Sequence, residues 1–194
     1  MSLIIAIKKD GVIYFGSDTQ TTTGSFKKNQ VIEDRFKVKK MPNDLVIGVV
    51  GTVYPSIYLR LHDEWFNLDK NEPLTKEFIV KNIVNPLYKE LEKHDALTLD
   101  YEKKPTLDFS FIIAKKDQLY LVLSSGGVIS IPNYAVIGSG EHYVYSYFYE
   151  KPFDDPQEMI RNALKLVSFF ESSVSAPYIF LDTETLQYTI EGEY

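Results

Sequence analysis

The chain has 194 residues, is 44% hydrophobic and 14% aromatic, and so holds enough apolar material for a buried core and is not a disordered chain. A net charge of −6 argues against a nucleic-acid partner. With no cysteine, disulfides, zinc thiolates and a cysteine nucleophile are excluded; His62, His94 and His142 fit no metal-ligand spacing, so no metal or other cofactor is expected.

Leu3 to Ile7 reads as a buried strand. The charges at Lys8, Lys9 and Asp10 interrupt it too early for a signal peptide, and no segment approaches the ~20 apolar residues of a membrane span, so a cytoplasmic protein without a membrane partner is expected. Asp10-Gly11 is a two-residue hairpin signal, and Val12 to Gly16 reads as the returning strand. A polar stretch covers Ser17 to Gln30. Phe36 to Met41 alternates, Pro42-Asn43-Asp44 turns, and Leu45 to Val50 is apolar throughout up to Gly51.

Helical spacing then takes over, first in Ile57, Tyr58, Leu61 and Trp65, then from Thr75 to His94, where Pro86 predicts a kink. Residues 95–106 read as a charged loop. Strands are expected at Leu107–Ala114, Leu119–Leu123 and Tyr134–Ile137, with turns at Lys115-Lys116-Asp117 and Gly126-Gly127. Gly138-Ser139-Gly140 breaks the chain before an aromatic run, His142 to Tyr149, whose four tyrosines exceed what one buried face needs and point to a subunit contact. Asp155-Pro156-Gln157-Glu158 is a helix start, with Asp155 as cap, Pro156 in the first turn and Glu158 completing a capping box. Two strands, Tyr178–Leu181 and Gln187–Ile190, close the chain.

Segregated runs of strands and helices predict a layered α+β fold, two antiparallel sheets stacked between helices, rather than a doubly wound parallel sheet. No repeat or linker divides the chain, so residues 1–194 are expected to form a single domain.

The ordered residues Ser2, Asp18, Lys37, Gly51 and Ser139 resemble those of the N-terminal nucleophile hydrolases, specifically proteasome β subunits and the HslV-type peptidase. In that family the first residue of the mature chain opens a strand leading to a basic pair, a turn glycine and a second strand. Ser2-Leu3-Ile4-Ile5-Ala6-Ile7-Lys8-Lys9-Asp10-Gly11 matches that opening without a gap. Gly16-Ser17-Asp18 with Thr22, Lys37-Val38-Lys39-Lys40-Met41, Gly51 and Gly138-Ser139-Gly140 match the later motifs. One departure is Ser172, which stands where proteasome β subunits carry an aspartate, with Ser175 matching the later serine.

The resemblance implies a four-layer αββα sandwich and a homo-oligomeric ring. It implies cleavage of a peptide or protein substrate through an acyl-enzyme on Ser2, once Met1 is removed. Val49 and Thr21 would line the pocket for the residue before the scissile bond, Thr22 and Gly51 would align an extended substrate, and Ser172 and Ser175 would support the site. HslV-type relatives work with a separate ATPase.

The residues carry the same chemistry on physical grounds. A serine hydroxyl needs a base, and neither a His-based triad nor a Gly-x-Ser-x-Gly elbow is present. A free α-amine titrates near ~7.7–8.0, and a neighbouring lysine lowers that value, leaving an unprotonated base at neutral pH. Of the residues the resemblance picks out, Lys37 would fill that role, Asp18 would hold it charged, and the Gly51 N–H would meet the oxyanion. Each residue also has an ordinary alternative. Asp18 can end a strand, Lys37 can be a solvated strand residue, Gly51 can break a strand, and Ser139 can cap the next helix. A chain that keeps Met1 has no amine at Ser2, and the alternative is then a catalytically silent structural protein of the same fold.

Overall fold

The structure, a computed structural model, describes residues 2–23, 26–29, 36–149 and 154–192. Met1 and parts of the polar stretch, Gly24, Ser25 and Gln30, lie outside the described residues. In chain order the strands are β1 (Leu3–Lys9), β2 (Val12–Asp18), β3 (Gln20–Thr23), β4 (Phe26–Asn29), β5 (Val38–Lys40) and β6 (Val46–Gly51). Helices follow: α1 (Val53–Leu61), α2 (Lys76–Phe78), a π-helical stretch Ile79–Val84, and α3 (Asn85–Lys93). The second half runs β7 (Thr98–Leu99), β8 (Pro105–Thr106), β9 (Phe109–Lys115), β10 (Gln118–Val122), β11 (Val128–Ser130), β12 (Tyr134–Gly138), α4 (Glu141–Phe148), α5 (Pro156–Phe170), β13 (Tyr178–Asp182) and β14 (Thr189–Glu191).

Two five-stranded antiparallel sheets form the centre, ordered β12-β1-β2-β13-β14 and β11-β10-β9-β6-β5. Strand parity explains the unbroken apolar run of β1. Ile4 and Ala6 face the second sheet, where they meet Val46, Val50, Ile112 and Ala114. Leu3, Ile5 and Ile7 face the opposite way, onto Ile160, Ala163, Leu164 and Val167 of α5. A strand covered on both faces has no polar positions to alternate with. The second sheet repeats the arrangement, with Ile47, Val49, Phe111 and Ile113 packed under Leu59, Ile83 and Leu87. Three apolar layers thus separate four structural layers, α4/α5, sheet, sheet and α1/α3, which is the αββα sandwich expected.

The helix start at Asp155 is formed as expected: its side chain accepts from the Glu158 N–H at 3.0 Å, and Pro156 occupies the first turn. Around Pro86 the helix continues through the π-helical stretch just before it, a widening that tolerates a residue with no N–H to donate. Three local features go beyond the sequence reading. The polar stretch belongs to the sheets: Ser17 and Asp18 end β2, and the threonine-rich Gln20–Thr23 pairs with Phe26–Asn29 as a hairpin. Residues 95–106 are not a plain loop, because the Asp100 side chain accepts from the N–H groups of Glu102 and Lys104 and folds a small hairpin, β7 with β8. The apolar positions of α1 do not all face the core. Pro55, Ser56 and Leu59 are buried, while Ile57 and Leu61 stay 43% and 66% exposed.

Candidate active site

Asp18 ends β2, and Lys37 immediately precedes β5 in the other sheet. The two sheets therefore bring them together across 19 residues of sequence, with Lys37 Nζ 2.7 Å from Asp18 Oδ2. Lys37 Nζ donates also to the Gln20 carbonyl, at 2.7 Å. Asp18 spends its remaining acceptor capacity on backbone: Oδ1 accepts from the Leu3 N–H at 2.9 Å and Oδ2 from the Gln20 N–H at 3.1 Å. Leu3 follows Ser2, so one carboxylate ties the lysine to the start of β1.

Asp18 is fully buried and Lys37 is 8% exposed. Burial pushes the Asp18 carboxyl up and the Lys37 ammonium down from their ordinary values, and the attraction between them opposes both shifts. The ammonium is thus a dry, directed charge held by two acceptors, the kind of group that lowers the pKa of a neighbouring amine.

Lys37 lines a cleft of about 460 Å³ that also takes in Ser2, Thr21, Thr22, Val49 and Gly51. Six of the residues singled out in the sequence therefore border one concavity, while Asp18 lies behind it, fully buried. Gly51 ends β6 at φ +126°, a conformation that disfavours other residues. A Cβ there would lie 2.6 Å from Phe109 Cα and 2.7 Å from the Asp108 carbonyl oxygen. Asp108, itself at φ +55°, fixes the following residue, accepting from the Thr52 N–H at 3.2 Å and from its hydroxyl at 2.5 Å.

Ser139 touches the site through its backbone. Its N–H donates to the Ser2 carbonyl at 2.7 Å, extending the β1–β12 ladder by one bond. The cap position of α4 falls on Gly140, in the left-handed region, so Ser139 is not the helix cap. Ser172 and Ser175 gather on Gln20: the Gln20 amide donates to the Ser172 carbonyl at 3.0 Å, and Ser175 Oγ donates to Gln20 Oε1 at 2.7 Å, with Asn29 Oδ1 3.1 Å away.

Sequence reasoning missed one wall of the cleft. Val53, Ile57 and Leu61 recur every four residues along α1 and line it, together with Lys39, two residues beyond Lys37 on the same strand. The four-residue period was visible, but it could not say which side of α1 meets the core. Among the described residues no group of His, Asp and Glu is placed to hold a metal ion, and no helix is long and apolar enough to cross a membrane.

Known proteins resemble this chain in sequence and in fold. Over 152 residues the chain is 28% identical to proteasome subunit beta type-1 of Saccharomyces cerevisiae, covering 75% of this chain and 63% of that one, so it spans less than two thirds of that relative's length. The fold matches BPH of Thiobacillus denitrificans (TM-score 0.73, 21% identity, 93% of this chain and 96% of that one). It also matches eukaryotic HslV from Trypanosoma brucei (TM-score 0.62, 17% identity, 93% and 98%) and Anbu from Yersinia bercovieri (TM-score 0.67, 14% identity, 97% and 86%). The family model described as proteasome subunit matches residues 2–169, a span that holds Ser2, Asp18, Lys37, Gly51 and Ser139 on the sandwich just described, and the chain belongs to the proteasome subunit family.

Proposed function

We propose that the chain is an N-terminal serine hydrolase that cleaves peptide bonds through an acyl-enzyme on Ser2 after Met1 is removed. The observation that carries this reading is the convergence of Ser2, Lys37 and Gly51 on one cleft, with Lys37 Nζ pinned 2.7 Å from a buried Asp18. Removal of Met1 converts the Ser2 nitrogen from a peptide N–H into an amine. That amine takes the Ser2 Oγ proton as Oγ attacks the scissile carbonyl, and Lys37 stabilises the developing negative charge. The Gly51 N–H donates to the oxyanion of the tetrahedral intermediate, a contact whose loss costs about 3 kcal/mol in comparable sites. The protonated amine then delivers its proton to the leaving amine, and water, activated by the same amine, releases the acyl group.

The substrate lies extended in the cleft, aligned by the backbone of Thr22 and Gly51. Val49 and Thr21 border the pocket for the residue before the scissile bond. Ring assembly from identical subunits, a separate ATPase partner and a cytoplasmic location complete the proposal, by analogy with the family.

The test is the intact mass of untagged protein, followed by treatment with epoxomicin, the compound bound to the Thiobacillus denitrificans protein in a second structure of that neighbour. Loss of one methionine and an adduct on Ser2 that vanishes in Ser2→Ala support the reading. Quantitative retention of Met1 leaves no base and makes this a silent structural member of the family.

A further inference from the structure

We infer that the Gln20 side chain is a positioning residue, coupling the segment Ser172–Ala176 to the Lys37–Asp18 pair; the inference rests on the reading of that pair as catalytic machinery. Gln20 meets the pair through both of its backbone groups. Its N–H donates to Asp18 Oδ2 at 3.1 Å and its carbonyl accepts from Lys37 Nζ at 2.7 Å. The ammonium's location therefore depends on where the Gln20 peptide groups are held.

The β3–β4 pairing holds them in part, and the side chain adds a second anchor. Gln20 is 3% exposed, and its amide nitrogen donates to Thr22 Oγ1 and to the Ser172 carbonyl, both at 3.0 Å. Its amide oxygen accepts from Ser175 Oγ at 2.7 Å. A buried amide whose groups are satisfied in this way has one low-energy placement, because any shift leaves a donor or acceptor unpaired away from water. The segment is fixed in turn from its other side: Asn29 Nδ2 donates to the Ala176 carbonyl at 2.7 Å and Lys27 Nζ to the Ser172 carbonyl at 2.6 Å. Ser172 and Ser175 thus act at one remove. They contact Gln20, and Gln20 contacts the lysine.

Two bonds to the segment separate this role from general support. Ser175 bonds the Gln20 amide oxygen itself, whereas Lys27 only shares the Ser172 carbonyl with the Gln20 amide nitrogen and makes its bond to the segment, not to Gln20. The experiment follows the Lys37 side-chain Cε and Nζ resonances, assigned with Lys37→Arg, in full-length native protein, Gln20→Met, Ser175→Ala and Lys27→Met, with the melting temperature of each. The expected result is a displaced Lys37 resonance in Gln20→Met and Ser175→Ala, and a clearly smaller displacement in Lys27→Met, whose bond acts on Gln20 only through the shared Ser172 carbonyl. Unmoved resonances in both Gln20→Met and Ser175→Ala overturn the inference. So does an equal displacement in Lys27→Met, which would mean that only the stability of the segment matters. Where native protein is labelled by epoxomicin, Gln20→Met lowers the labelling rate by about 10- to 100-fold, the scale of a reacting group displaced by about an ångström. If native protein is not labelled, the catalytic reading fails, and the resonance test still decides whether Gln20 positions Lys37.

Discussion

Asp18 Oδ2 and Lys37 Nζ lie 2.7 Å apart although they come from different sheets, and the carboxylate has no exposed surface at all. A buried pair of this kind is costly to break and only modestly favourable to keep. Lys37→Met and Asp18→Asn are each expected to lower unfolding free energy by about 3–5 kcal/mol. The double variant should fall short of their sum by about 1–3 kcal/mol, since the two share one interaction. It should not return to native stability, because an asparagine nitrogen cannot accept from the Gln20 N–H as Asp18 Oδ2 does. Chemical denaturation of the four proteins checks this.

The same pair gives a pH dependence. Lys37 lowers the Asp18 pKa against the upward push of burial, so Lys37→Met raises it further. A carboxyl whose folded pKa lies above its unfolded value contributes stability below the unfolded value and loses it as pH rises through the folded one. The deficit of Lys37→Met should therefore shrink as pH falls from neutrality through the acidic range. Denaturant midpoints of the variant and native protein across that range provide the measurement, and a constant deficit would refute the assignment.

Gly51 has neither the backbone freedom nor the space for a side chain. At φ +126°, with Phe109 Cα and the Asp108 carbonyl within 2.7 Å of a Cβ, Gly51→Ala forces β6 and β9 apart at the proposed oxyanion donor. The expected cost is about 1–3 kcal/mol of stability, from strain, together with loss of epoxomicin labelling. Thermal melts and adduct mass report the two effects separately. Gly138→Ala should be harsher still on folding, since its Cβ would collide with the Ser2 carbonyl oxygen.

Arg161 Nε and Nη2 grip Glu191 at 2.6 and 2.8 Å, joining α5 to β14. The guanidinium holds the Glu191 carboxyl below its ordinary value. A depressed carboxyl contributes stability above its unfolded pKa and loses it as pH falls through the folded one. Arg161→Met should therefore cost about 1 kcal/mol at neutral pH, an amount already reduced for solvent screening, and nothing at strongly acid pH. Paired denaturation curves at the two pH values would show it, and an equal deficit at both would sink the argument.

Legibility varied with the kind of information each feature needs. The hairpin at Asp10-Gly11, the cap at Asp155 and the apolar strands were readable because each depends on neighbours in sequence. The surroundings of α1 were not readable, because helical periodicity identifies a face without saying what meets it, and here Val53, Ile57 and Leu61 meet the cleft. The hairpin inside residues 95–106 turned on one side-chain acceptor, Asp100, hidden within a charged run. The Gln20 cross-link carried no sequence signal, since a glutamine in a threonine-rich stretch suggests only polarity.

What the sequence determined by itself was the list of parts: strands covered on both faces, segregated helices, and a serine, an aspartate, a lysine and a glycine in a familiar order. Periodicity and turn chemistry are local, so they survive without the fold. Which groups meet was decided only in three dimensions. Stacking the two sheets buries Asp18 against Lys37, opens the cleft at the Ser2 end of β1, and sets Ser172 and Ser175 on Gln20. Contacts across 15 to 155 residues of chain depend on strand register and sheet packing, and those are properties of the whole chain.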